Sequence, residues 1–304
     1  MTKTFYSNGK LLMTGEYVVL DGAKAFALPT KMGQDLVVSE TDAIGNIHWK
    51  SFDADQSIWF EGNLAMEAIV AKTFTDDKPS ITKVLQNILF EAHQLNPTVL
   101  SNKGFSITTH LTFPRHWGLG TSSTLINNVA TWFEINAFEL LKNSFGGSGY
   151  DIANAQNNSP ICFQIVAGKP TIELVHFNPE FKENLYFLYL NQKQDSKAAI
   201  AMYHEKQHDI HPNIAIINSI TTEIKAGVNK ERFQYLLEKH EALLSGILEM
   251  KTVKERFFND FEGTIKSLGA WGGDFVLVVS ETNPKSYFEE KGFTTLLPYH
   301  EMIL

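Results

Sequence analysis

The chain has 304 residues, of which 43% are hydrophobic and 20% are charged, as in a globular protein that buries a substantial core. Its formal net charge of −8 argues against a general nucleic-acid-binding protein, which would carry a basic surface. The only cysteine is Cys162, which excludes an internal disulfide and a cysteine-based metal site. The first residues lack a signal-peptide core, and no apolar window reaches the ~18 residues of a membrane span. These features predict a cytoplasmic protein with no membrane partner.

Turn signals and apolar periodicity in the first half predict several strands, then helices. The spacing of the early turns is typical of an antiparallel meander, and Asn8-Gly9 is expected to form a turn between the first two strands. The predicted elements are strands over 4–7, 10–14, 35–40, 45–51, 57–60 and 105–111, and helices over 63–74, 80–95 and 125–141.

The second half begins with a predicted β-hairpin around Gly168-Lys169 and then becomes largely helical. A composition change near 178–184 predicts an N-terminal domain over 1–180 and a C-terminal domain over 181–304. The fold class is α+β, with two layers and the strands grouped by half. The predicted elements are strands over 160–166, 170–177, 184–190, 275–280 and 294–297, and helices over 196–207, 212–227, 230–247, 252–267 and 283–291.

A glycine-containing turn opens a helix within 114–124. Gly118 and Gly120 let the backbone approach a ligand, and the first amides of a helix have no partner inside the helix. These amides and the helix dipole favour an anion, most often phosphate. The alternative is an ordinary helix start, capped by one of the four hydroxyl residues at 121–124. This stretch alone supports the two interpretations equally.

Two further glycine-rich segments, 146–149 and 269–273, lie at junctions between predicted elements. One such loop is weak evidence for a ligand site. Three glycine-rich loops, together with Lys10 near the N-terminus, predict a shared cleft that binds an anionic ligand.

Four segments, at 9–22, 114–123, 148–151 and 269–273, are similar to the motifs of one enzyme family and occur in the same order. The chain resembles this family, the GHMP kinases, which includes galactokinase, homoserine kinase, mevalonate kinase and phosphomevalonate kinase. The glycine-glutamate-tyrosine sequence at 15–17 and Asp274 after the third glycine segment are most similar to the mevalonate and phosphomevalonate kinase branch.

The resemblance implies an ATP-dependent kinase, a transferase that uses Mg²⁺ and acts on an alcohol or phosphate acceptor. Mevalonate or phosphomevalonate, and therefore isoprenoid biosynthesis, is the implied substrate class; a sugar or a homoserine-like alcohol is the alternative. The implied architecture is a nucleotide-binding N-terminal domain like domain 2 of ribosomal protein S5, and a substrate-side C-terminal domain with a ferredoxin-like α/β plait. A monomer or homodimer that binds a small molecule and no nucleic acid is expected.

The resemblance also implies roles for individual residues. Asp151 would orient or deprotonate the acceptor hydroxyl, and Lys10 would pair with Asp151 and stabilise the transferring phosphoryl group. The alternatives are a helix N-cap for Asp151 and a surface position for Lys10. The implied nucleotide-binding residues are Pro114, Gly118, Leu119, Gly120, Thr121, Ser122 and Ser123. The implied substrate-binding residues are Glu16, Tyr17, Lys193, Ser196, Gly269, Gly272 and Gly273.

Two departures from the family pattern bear on this interpretation. Trp271 replaces a glycine of the third motif, which makes that loop bulkier. The segment 125–150 is expected to hold one helix and a loop, without the additional helix and the Mg²⁺-binding glutamate that the family carries. The resemblance implies Ser122 as a metal ligand, and Glu139 is the candidate carboxylate, with a solvated helix face as the alternative for Glu139. The other alternative is a metal held by Ser122, Asp151, phosphates and water.

Two other polar segments have competing interpretations. The loop at 191–197 could bring Lys193 and Ser196 to a substrate phosphate or carboxylate, or it could be a polar connection that caps the next helix. His204, Glu205 and His208 match a zinc-peptidase pattern, although a solvated helix end explains them more simply. The alternatives to a kinase are accordingly a non-catalytic homologue that binds a nucleotide or metabolite, and a zinc peptidase.

Overall fold

The computed structural model describes residues 1–74, 80–101, 103–192, 196–205, 210–271 and 273–304, without the side chains of 196–198. The strands are β1 Thr2–Thr14, β2 Ala25–Thr41, β3 Asn46–Phe52, β4 Ile58–Ala65, β5 Gly104–His110, β6 Ile161–Val166, β7 Lys169–Leu174, β8 Leu185–Tyr189, β9 Thr264–Ser267, β10 Phe275–Val279 and β11 Leu296–Pro298. The helices are α1 Met66–Val70, α2 Ile81–Leu95, α3 Thr121–Phe133, α4 Ala137–Ser144, α5 Tyr150–Ala155, α6 Ser196–Glu205, α7 His211–Ala226, α8 Lys230–Leu248, α9 Val253–Phe257, α10 Lys285–Glu290 and α11 Tyr299–Met302. The fold is thus a mixture of sheets and helices, as the sequence predicts.

The chain divides into two compact units. Unit 1 contains 1–9, 32–115 and 119–156, and unit 2 contains 10–31, 116–118 and 157–304. The predicted domains over 1–180 and 181–304 stay a prediction. Among the described residues, no helix is long and apolar enough to cross a membrane.

Unit 1 is a sheet covered by helices. Strand β3 pairs antiparallel with β4 and parallel with β5, and the second half of β2 pairs antiparallel with β5. Because β5 lies between β2 and β3, the predicted meander is wrong: turn spacing locates strands but does not decide their neighbours. Alternate residues of β3 are buried, and Trp49 is fully buried in a core shared with α2, α3 and α4.

The segment after the glycine turn holds two helices, so the predicted single helix over 125–141 is wrong. Helix α3 ends before Glu134, whose backbone is left-handed with φ 56°. The Asn136 side chain then accepts hydrogen bonds from the amides of Phe138 and Glu139 and caps α4. Apolar periodicity continues through this break and hides it. The prediction that 125–150 lacks an additional helix is therefore also wrong.

Three other predicted boundaries need correction. Asn8-Gly9 does not turn but lies buried within the continuous strand β1. Residues 63–65 belong to β4 and not to a helix. The predicted helix over 252–267 ends as α9 at Phe257, and 264–267 form β9, in which all four residues are buried. Pairing with neighbouring strands overrides the local turn signal at Asn8-Gly9 and the local helical pattern at 63–65 and 264–267.

Unit 2 contains a second sheet and a hairpin. The antiparallel sheet has the order β11-β8-β10-β9, and every residue of its strand β10 is buried. The predicted hairpin of β6 and β7 is confirmed, but its turn lies at Ala167-Gly168, one residue before the predicted Gly168-Lys169. Both turn residues have positive φ, as a type I′ hairpin turn requires. The first half of β2 pairs with β6.

Candidate active site

The glycine turn starts α3 without a side-chain cap. Gly118 and Gly120 have φ 69° and 99°, which residues with side chains rarely adopt, and Gly120 occupies the N-cap position. The buried hydroxyl of Ser123 donates to the Gly120 carbonyl at 2.9 Å. Ser122 is exposed. Since no side chain caps this helix end among the described residues, the ordinary N-cap interpretation is wrong.

The remaining nucleotide-site candidates have different environments. Leu119 is fully buried, so its side chain contributes to packing and only its backbone is available to a ligand. Thr121 is half-buried in the first turn of α3, and Pro114 is half-buried before the turn. The exposed start of α3 thus offers backbone amides and the Ser122 hydroxyl, groups that suit an anion and its cation.

Asp151 lies in the first turn of the short helix α5. Its carboxylate oxygen Oδ1 accepts a hydrogen bond from the Ile152 amide at 3.0 Å, and the side chain is half-buried. Gly149, with φ 90°, is the N-cap of α5, so the alternative that Asp151 caps this helix is wrong. An aspartate with one oxygen held by the backbone has a fixed orientation, which a general base needs.

Asn154, one turn after Asp151, is a buried residue that sequence reasoning missed. Its Nδ2 donates to the Gly9 carbonyl at 3.1 Å, which ties α5 to the end of the part of β1 that lies in unit 1. Its Oδ1 is buried and has no hydrogen-bond partner among the described residues. A buried asparagine with an unmet acceptor was not distinguishable in the sequence from an ordinary helix residue.

In unit 2, three of the predicted residues lie together. The Lys10 ammonium donates to the Gly118 carbonyl at 3.2 Å. A Cβ atom on Gly269 would lie 3.9 Å from the Lys10 Nζ atom. The end of the Lys10 side chain therefore lies between the glycine turn and the third glycine segment. These two segments are about 150 residues apart in the sequence.

Asp274 reaches the same place from the end of the third glycine segment. A Cβ atom on Gly118 would lie 2.2 Å from Asp274 Oδ2, so a side chain at position 118 would displace the Asp274 carboxylate. Asp274 is 8% exposed and has φ 54°. Its position directly after the glycines was a signal in the sequence, but it was not included among the predicted site residues. The carboxylate of Asp274 and the ammonium of Lys10 both contact Gly118.

Glu16 is fully buried in a charged cluster of unit 2. Its Oε1 accepts from the Lys266 ammonium at 2.6 Å, and the Lys266 Nζ also lies 3.8 Å from the Glu241 carboxylate. The His240 Nε2 accepts from the Gly15 amide at 3.0 Å, which identifies this nitrogen as the unprotonated one. A carboxylate that is 1% exposed and bound to Lys266 is better placed to hold the turn at 15–17 than to contact a substrate.

Burial opposes the charged forms of these side chains. Desolvation raises the pKa of Glu16 to about 7, although the Lys266 ammonium acts in the opposite direction. Desolvation, followed by the nearby Lys266 charge, lowers the pKa of His240 well below its usual 6.5. Desolvation also raises the pKa of Glu241.

These shifts predict opposite pH effects for two variants. Glu16 stabilises the fold fully below about pH 4.5, its unfolded pKa, and this contribution is lost as the pH rises to about 7. His240 contributes stability above its unfolded pKa of 6.5, and this is lost as the pH falls. Between pH 6.5 and 4.5 we expect acidification to lower the free energy of unfolding of Glu16→Gln, and to raise that of His240→Gln, relative to wild type.

Denaturant unfolding at intervals across this range measures both variants. The slope of the free energy of unfolding should change by up to about 1.4 kcal/mol per pH unit, in opposite directions. Slopes that shift in the same direction in both variants would contradict the assigned protonation states.

Two further predicted substrate-binding residues, Tyr17 and Gly273, are described by the structure. Tyr17 is 9% exposed and has φ 62°. Gly273 is buried. Lys193 and Gly272 lie outside the described residues, and Ser196 begins α6 with its side chain outside the described atoms.

The predicted metal ligands do not form a cluster by themselves. Glu139 is exposed in the first turn of α4. His204 and Glu205 are exposed at the end of α6, and His208 lies outside the described residues. In the part of the chain that the structure describes, no group of three or more histidine, cysteine, aspartate or glutamate residues could hold a metal ion. The donors present fit Mg²⁺ only if phosphate oxygens and water complete its shell.

Comparisons with known proteins identify the fold. No family model matches the chain, and no curated protein matches its sequence. Among solved structures, the chain is similar to Streptococcus pneumoniae phosphomevalonate kinase in complex with phosphomevalonate and AMPPNP, with a TM-score of 0.70, 16% identity and coverage of 97% of this chain and 99% of that one. It is similar to Methanococcus jannaschii mevalonate kinase, with a TM-score of 0.68, 17% identity and coverage of 96% and 95%. It is also similar to Lactococcus lactis galactokinase complexed with galactose, with a TM-score of 0.69, 13% identity and coverage of 95% and 88%.

These matched enzymes are GHMP kinases. The chain therefore has the GHMP-kinase fold over nearly its whole length, and the predicted resemblance is confirmed at the level of the fold. At 13–17% identity the likeness says nothing further about substrate or activity.

Proposed function

We propose that this protein is an ATP-dependent kinase that phosphorylates a small molecule. The observation that carries the proposal is the position of the Lys10 ammonium, which contacts the Gly118 carbonyl and lies beside Gly269 in a chain with the GHMP-kinase fold. Phosphoryl transfer requires positioning and charge neutralisation more than covalent chemistry. A lysine held between two glycine loops can supply a fixed positive charge to a phosphate group.

In the proposed reaction, an oxygen of the acceptor attacks the γ-phosphorus of ATP and the bond to the ADP oxygen breaks. If the acceptor is an alcohol, Asp151 accepts its proton; a phosphate acceptor needs no proton transfer. Lys10 neutralises negative charge on the transferring group, and the proposal includes its pairing with Asp151. Amides at the start of α3, with Gly118 and Gly120, hold the triphosphate.

Mg²⁺ would neutralise phosphate charge when bound. Ser122 and Asp151 are the proposed protein ligands, together with phosphate oxygens and water. The exposed Glu139 remains the weaker candidate. The proposed arrangement assigns the nucleotide to an S5-like domain over 1–180 and the acceptor to a ferredoxin-like domain over 181–304.

The proposed acceptor is mevalonate or phosphomevalonate. Support comes from the matched structures, two of which are a phosphomevalonate kinase bound to phosphomevalonate and a mevalonate kinase bound to mevalonate, the latter from L. major. The galactokinase match keeps a sugar as the alternative acceptor.

An ADP-release assay coupled to NADH oxidation tests the proposal. Purified protein, ATP and Mg²⁺ are combined in turn with mevalonate, phosphomevalonate, homoserine and common sugars. We expect acceptor-dependent ADP release with mevalonate or phosphomevalonate. ATP binding without turnover on any acceptor would favour a non-catalytic nucleotide-binding protein. Stoichiometric zinc in metal analysis would instead favour a peptidase that uses His204, Glu205 and His208.

A further inference from the structure

Tyr17 occupies a strained turn directly after the strand that carries Lys10. Its backbone angles are φ 62° and ψ −54°, and the Val18 amide donates to the Glu16 carbonyl across it at 2.7 Å. This is a γ-turn of the positive-φ kind, which is rare and strained. Such a conformation persists only where the surrounding structure holds it, and it tends to mark a functional position.

The two residues before Tyr17 are held by buried groups from distant elements. The Gly15 amide donates to His240 of α8, and the Glu16 carboxylate binds Lys266 of β9. The Gly15 carbonyl accepts from the Val19 amide at 3.0 Å, which closes the turn. A Cβ atom on Gly15 would lie 2.4 Å from the Lys24 carbonyl, so the chain is also sterically confined there.

The strained turn directs the Tyr17 hydroxyl to the third glycine segment. This hydroxyl accepts a hydrogen bond from the Trp271 amide at 2.9 Å. Trp271 is 4% exposed and packs with Tyr17 and Tyr203 in one apolar cluster. Two residues before Trp271 is Gly269, which borders the Lys10 ammonium. Trp271, the residue that departs from the family pattern, is thus hydrogen-bonded to the turn that follows the strand of Lys10.

We propose that Tyr17 is a positioning residue, which fixes the 269–271 loop beside Lys10 through the Trp271 amide. This inference rests on the proposed kinase function. Tyr17 is thus assigned to hold the 269–271 loop and not to contact the substrate. This loop lies beside Lys10, which is proposed to neutralise the transferring phosphoryl group. Because the hydroxyl accepts the bond, a phenylalanine at position 17 would keep the ring packing and remove this link.

The test compares Tyr17→Phe with Tyr203→Phe. Both changes remove one hydroxyl from the same apolar cluster, but the Tyr203 hydroxyl donates to Asp21 at 2.6 Å and not to the 269–271 loop. With the best acceptor from the ADP-release assay, we expect Tyr17→Phe to lower kcat by about 10–100-fold, because a misplacement of about 1 Å is enough for such a loss. The KM for ATP should change by less than about twofold, and Tyr203→Phe should lower kcat by less than about threefold.

Hydrogen exchange at the Trp271 amide provides a readout that does not depend on activity. We expect this amide to exchange at least about tenfold faster in Tyr17→Phe than in wild type and to be unchanged in Tyr203→Phe. Unchanged exchange, or faster exchange with unchanged kcat, would overturn the inference. A wild-type protein that phosphorylates no acceptor would overturn the proposed function and the effect of Tyr17 on catalysis. The exchange result would still decide whether Tyr17 holds the Trp271 amide.

Discussion

Asp151→Asn is expected to lower kcat by about 10²–10⁴-fold, the usual contribution of a general acid–base group. The amide oxygen of asparagine can still accept the hydrogen bond from the Ile152 amide, so the side chain should keep its orientation in α5. Asparagine has lost the negative charge that accepts a proton and attracts Mg²⁺. The measurement is steady-state ADP release with saturating ATP, together with the free energy of unfolding.

The matched control for this variant is Asp55→Asn. Asp55 is an exposed aspartate of unit 1, and its Oδ1 also accepts a hydrogen bond from a nearby backbone amide, that of Ser57 at 2.9 Å. We expect the control to keep wild-type kcat. If Asp151→Asn retained more than about a tenth of the wild-type kcat while remaining folded, Asp151 would not be the base.

Lys266→Met is expected to lower the free energy of unfolding by about 3–5 kcal/mol. Lys266 is fully buried, and its ammonium contacts the Glu16 carboxylate and the Ser267 carbonyl, at 2.6 and 2.7 Å. Without the ammonium, two buried carboxylates, Glu16 and Glu241, lose their compensating charge. Denaturant unfolding, followed separately by circular dichroism and tryptophan fluorescence, measures the loss.

Lys230→Met is the control for the buried pair. Lys230 forms an ion pair with Glu281, whose side chain is 72% exposed, and the same substitution there should cost less than about 1 kcal/mol. The double variant Glu16→Gln/Lys266→Met removes both partners of the closest ion pair. It should therefore have a higher free energy of unfolding than Lys266→Met alone. Equal destabilisation by Lys266→Met and Lys230→Met would show that the buried cluster contributes nothing beyond a surface pair.

Local sequence patterns were sufficient to predict the elements whose conformation depends on neighbouring residues. The hairpin at 160–177 was predictable because Ala167-Gly168 lies between two β-forming runs, and positive φ is natural for glycine. The glycine turn before α3 was predictable for the same reason. The break between α3 and α4 was missed, although Asn136 was a visible capping residue, because apolar periodicity continued across it.

Pairing between distant segments was not predictable from these patterns. Strand β5 is inserted between β2 and β3, and β9 replaces the end of a predicted helix because its four residues pair with β10 and are buried. Lys266 falls within the predicted helix over 252–267, and a lysine is rarely buried. Its burial follows from Glu16, which lies 250 residues earlier in the sequence.

The order of the glycine segments, with Lys10 and Asp151, was determined by the sequence alone and led to the resemblance to GHMP kinases that the solved structures confirm at the level of the fold. The roles of these residues remain predictions. Only the tertiary structure decided that the Lys10 ammonium reaches Gly118, that Asp274 lies against the same glycine, and that Tyr17 holds Trp271 across 254 residues. The physical reason is that a glycine or a charged residue carries its own conformational and chemical preference, whereas a hydrogen bond or an ion pair exists only when folding brings two groups within about 3 Å.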